Sequence, residues 1–129
     1  MTQRSVVKQV CGVLLGLALV ASLLGQDKVR ELERRVQSNP KDESALMELG
    51  RLYHDRGASG DDTAVEKGLQ CFDKALAIDS MNAVALAYRG SLWTMRARDS
   101  WWPPSKLNHL RRGGAELDRA VEIAPDNIM

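Results

Sequence analysis

A chain of 129 residues has the length of one domain, and 44% hydrophobic with 27% charged residues is the composition of a folded chain. Aromatics are only 5%, β-branched runs are few, and Ala, Leu, Glu, Arg and Lys dominate, which favours helices over strands. Arg4 and Lys8 are the only charges before Asp27, so 16 of the 18 bases face all 17 acids on the larger part, a net of −1. That balance excludes the basic excess of a nucleic-acid binder, and no nucleic-acid partner is expected.

The N-terminus opens with a short basic flank, Arg4 and Lys8, followed by the nearly unbroken apolar run from Val10 to Gly25. This is the shape of a secretory signal peptide or of a single membrane anchor. The uncharged window 9–26 would rise about 27 Å as a helix, just short of a hydrocarbon core, so length alone leaves both readings open. No Ala-x-Ala cleavage site occurs, although Val20-Ala21-Ser22 and Gly25-Gln26 offer small residues. In both readings the basic flank stays in the cytoplasm and the folded part lies across the membrane, in the periplasm if the cell is Gram-negative. Residues 1–25 are therefore expected to be a leader or anchor, and residues 26–129 the folded domain. Cys11 falls in the leader and Cys71 beside Phe72, which makes a disulfide framework a poor reading and Cys71 a small semi-buried hydrophobe.

Beyond the leader the chain repeats itself. A half-repeat covers 28–42 and ends Ser38-Asn39-Pro40, one repeat covers 43–82, and another covers 83–127. Pro40 to Ser80 is 40 residues and Ser80 to Pro125 is 45, periods that mean a helical array. Each repeat divides into two helices. Leu46, Leu49 and Tyr53, then Leu69, Phe72 and Leu76, recur at helical spacing in the first. Leu86 and Trp93, then Leu107, Leu110, Gly114, Leu117, Val121 and Ala124, do so in the second. Asp42 and Asn82 are placed to cap helices, and Thr63 with Glu66, or Asp62, caps another; Arg56 to Gly60 reads as a loop. Trp102-Pro103-Pro104-Ser105 is a breaker from which Pro104 or Ser105 starts the last helix. The fold class expected is all-α: antiparallel helix-turn-helix repeats, about five helices after an N-terminal hydrophobic segment.

The pattern Leu46, Leu49-Gly50, Tyr53, Gly68, Phe72, Ala75, Ser80, echoed by Leu86, Arg89-Gly90, Trp93, Gly113, Leu117, Ala120, Pro125, resembles the tetratricopeptide repeat. The resemblance covers about 100 residues and is similar to bacterial envelope proteins of that type. It departs from the family unit of about 34 residues by extra loop at 58–62 and 99–104, by Ser80 in place of proline and by Arg89 in place of leucine. What the resemblance implies is a concave face lined by the first helix of each repeat, here Met47, Arg51 and His54 with Ala87, Ser91 and Met95, holding a protein or peptide. The alternative for those six is ordinary exposed or stacking residues. The clamp by which chaperone-binding relatives hold a terminal carboxylate is missing.

The expected activity is binding, in an exported or membrane-anchored scaffold of envelope complex assembly, or else a structural and oligomerising segment of a longer array. No catalytic constellation, cofactor loop or metal spacing is legible; His54 and His109 stand 55 residues apart. Trp101 and Trp102 are a second candidate surface: they are expected to fold back over the gap between the helices of their repeat, or otherwise to be an exposed contact for a partner or the membrane interface. The last helix keeps an apolar stripe with no later partner, which points to a fragment of a longer array or to self-association.

Overall fold

The computed structural model describes residues 2–127. They form five α-helices, α1 (Thr2–Ser38), α2 (Glu43–Ala58), α3 (Asp62–Ile78), α4 (Ala83–Asp99) and α5 (Pro103–Ile123), and a closing 3-10 turn, Pro125–Asn127. No strand occurs among the described residues. The all-α expectation holds, with one difference: the first repeat helix is not separate, because α1 runs without a break through Gly25. Gly25 and Gln26 carry no proline or capping signal that would end it.

The chain divides into two units at Glu31 and Leu32. In the first, every large apolar side chain from Val6 to Leu24 is between 52% and 66% exposed, on all sides of the helix. A helix apolar all round suits lipid or a larger protein core, and α1 is long and apolar enough to cross a membrane, as a signal sequence also is.

The second unit is a stack of helical hairpins. Connections of three or four residues reverse the chain between α2 and α3, α3 and α4, and α4 and α5. Side-chain caps start three helices: Asp42 accepts the Ala45 N–H at 2.9 Å, Asp61 that of Ala64 at 3.1 Å and Asn82 that of Ala85 at 2.9 Å. Asp42 and Asn82 are the expected caps, whereas Asp61 displaces Asp62 and Thr63. The stretch from Arg56 to Ala58, read as loop, is the last turn of α2, and the loop shrinks to Ser59–Asp61, with Gly60 at φ 102°. Helix α5 begins at Pro103, one residue before Pro104 and two before Ser105, the two expected starts, after Trp102, which gives no side-chain cap.

Leu46, Phe72, Leu86, Leu92 and the smaller Ala75, Ala85 and Ala120 fill the core. The two hairpins use the same device to approach. A Cβ at Gly50 would lie 2.7 Å from the Phe72 ring, and one at Gly90 would lie 2.9 Å from the Gly113 carbonyl and 3.0 Å from Leu117. Arg89, the departure from leucine, reaches Asp73 of α3 and Glu116 of α5, each at 2.7 Å, and so ties three helices together.

Candidate functional site

Helices α2 and α4 lie side by side, and the six expected groove residues fall on their seam. His54 Nε2 is 2.9 Å from Ser91 Oγ, and its ring meets Tyr88 edge-on with centroids 5.0 Å apart. The Asn82 amide, besides capping α4 with its oxygen, donates to Glu43 at 3.0 Å and approaches Met47 Sδ at 3.9 Å. Met47, Ala87 and Met95 pack on the core. Of the six, Arg51 alone is exposed. Its guanidinium sits 5.6 Å from the Tyr88 ring centroid, and that ring stacks in turn on Phe72 at 5.4 Å. The structure brings the six onto one seam, where five serve the stacking of helices, as in the alternative reading, and one cation stands over an aromatic shelf.

Trp101 and Trp102 do not fold back. Trp101 is 87% exposed and Trp102 52%, with rings 5.6 Å apart and tilted by 58°. The space they were expected to fill is taken by Trp93, on which His109 stacks at 5.4 Å and over which the Arg112 guanidinium lies at 4.1 Å. With that gap closed, and with Pro103 and Pro104 fixing the backbone at the start of α5, the two indoles stand in water.

Sequence reasoning missed a third surface, a cleft of about 410 Å³ among the end of α1, α2 and α3, with Glu33, Val36, Tyr53, Lys67 and Cys71 on its walls. The Tyr53 hydroxyl donates to Glu33, and Lys67 stands 3.9 Å from the same carboxylate and 5.4 Å from the Tyr53 ring. Burial, and then the Glu33 hydrogen bond, hold the Tyr53 hydroxyl protonated well above its ordinary range. Burial also pushes the Cys71 thiol up to about 11, so at neutral pH it is no nucleophile. The one signal in the sequence was Lys67, Gln70 and Lys74 at steps of three and four on the outside of a helix.

Among the described residues no three His, Cys, Asp or Glu side chains are grouped to hold a metal ion. Compared with known proteins, the chain matches no family model and no curated relative. What the fold and these surfaces define is an all-α protein of stacked hairpins whose exposed features are a tryptophan pair, a cation over an aromatic ring and an apolar N-terminal helix.

Proposed function

We propose that this chain is a scaffold of tetratricopeptide type, exported or tethered by α1, that holds a protein or peptide partner outside the cytoplasm during assembly of an envelope complex. The observation that carries the reading is the exposure of Trp101 and Trp102 together. Two adjacent indoles can bury ~200 Å² each, and Trp is the residue most enriched among binding hot spots. Arg51 over Tyr88 supports it as a second contact for an acidic group. The reading involves no catalysis, cofactor or metal, and Cys71, on the wall of the cleft, is held as the thiol.

The test is photocrosslinking in a bacterial host with an envelope. A photoreactive amino acid replaces Ser100 in the full chain, with exposed Lys41 as the control position. Discrete protein adducts from position 100, lost in the Trp101→Ala/Trp102→Ala background and absent from position 41, are the expected result. Adducts to lipid alone would instead place the loop at the bilayer interface, where Trp is also enriched. No adducts from either position would reject both.

A further inference from the structure

Helix α5 has two apolar faces, and only one of them is used. Gly113 and Ala120 are buried on the inner face. On the outer face Leu107 is 50% exposed, Leu110 46% and Val121 47%, and nothing lies within 4 Å of the Cβ position of Gly114 between them. This outward stripe follows the 3.6-residue period. Leu107 and Val121 stand seven residues either side of Gly114 and Leu110 four before it, while Leu117 leans inward onto Gly90. At 100° per residue Arg111 and Asp118 lie about 60° and 40° from the Gly114 direction, on the same flank. Neither has a hydrogen bond or ion pair among the described residues.

A helix of this pattern is complementary to itself turned end for end. With a twofold axis level with Gly114, Leu107 faces Val121 and Arg111 comes beside Asp118, one residue off level on the same flank, each pairing made twice, and the missing Cβ lets the backbones approach at the axis. We propose that the outer face of α5 is a self-association surface on which a second copy of this chain docks its own α5 antiparallel. An anionic lipid surface fits less well: Lys106 and Arg111 would attract it, but Asp118 and Glu122 on the same exposed length would repel it. A parallel pair would set like charges level with each other. One helix pair lies below the standard interface size, so the expected affinity is micromolar.

The experiment is sedimentation of the full chain in detergent across a concentration range, with Arg111→Asp, Asp118→Arg and the double reversal. All three change exposed groups, and circular dichroism checks that each stays helical. Each single reversal is expected to weaken the dimer about tenfold and the double to restore it. In a Cys11→Ser background, Gly114→Cys should form a disulfide between copies on oxidation. Leu107→Cys mixed with Val121→Cys should give the mixed disulfide in preference to Leu107→Cys with itself. A chain monomeric at tens of micromolar, a dimer indifferent to the reversals, or a double that fails to restore it overturns the proposal. Dimers held by α1 alone, through Gly12 and Gly16, would show that indifference. So does a dye at position 114 that shifts blue on anionic vesicles while the chain stays monomeric.

Discussion

Arg89 shows how a single residue can look like an error in the sequence and be a strut in the structure. Its side chain is 18% exposed and that of Glu116 12%. Burial acts to lower the Arg89 pKa, but the hydrogen bonds it donates to Glu116 and Asp73 outweigh it, so the guanidinium is held charged. Arg89→Leu restores the residue that the repeat pattern expects, yet leaves the largely buried Glu116 with only Arg112, at 3.8 Å, among the described residues. Thermal or urea unfolding should show a loss of about 2–3 kcal/mol, and Arg89→Leu/Glu116→Leu should recover most of it. Glycines separate in the same way. Gly90→Ala drives a Cβ against the Gly113 carbonyl, which cannot swing aside, and should destabilise by about 1–3 kcal/mol. Gly114→Ala meets open space inside a helix and should stabilise the monomer by about 0.5–1 kcal/mol, read at a concentration too low for association. The small residues at 50, 68, 90 and 113 stand out in the sequence as positions of the repeat pattern; that each marks a close approach, and which neighbour it meets, comes from the fold.

At the scale of the element, the caps were legible where one candidate stood alone. Asp42 follows a proline turn and Asn82 a short polar break, and both cap. Asp61-Asp62-Thr63 offered three oxygens in a row, and only the backbone decides among them. Asp61→Ala should cost about 1 kcal/mol in chemical denaturation and Asp62→Ala little. Asp42 adds a pH dependence. The Ala45 N–H and then Arg35, whose guanidinium is 2.9 Å away, hold its carboxyl below the usual range. A depressed pKa contributes stability that is present above the unfolded value of about 3.8 and is lost as pH falls through the folded one. Asp42→Asn keeps an oxygen to cap with but no charge to titrate. Wild type should therefore melt above this variant at pH 5, and the two should converge below pH 3.8. The end of α2 was misread because Gly57 looks like a breaker. In the fold its missing side chain admits Val65, 2.7 Å from where a Cβ would stand, and the helix continues to Ala58.

For the whole molecule, the stack of hairpins was legible because each helix carries an apolar period and each turn a break. The surfaces were less so. A seam, a cleft and a loop are built by residues from two or three helices, and their exposure depends on what fills the space behind them. The tryptophan pair is the clearest case. Paired indoles are expected to seek cover, but Trp93 with His109 and Arg112 had already closed the gap. Since the pair is not packed, Trp101→Ala/Trp102→Ala should change the melting free energy by no more than about 0.5 kcal/mol while abolishing the crosslink from position 100.

The same arrangement decides how the protein looks in light. Of three tryptophans, one is buried against an imidazole and a guanidinium and two stand in water. Two of the three indoles therefore already emit from water, and only Trp93 is left to redden on unfolding. What would move it to the blue is the arrival of something apolar at the loop, so the intrinsic fluorescence of this chain is a poor thermometer of its fold and a direct optical gauge of occupancy.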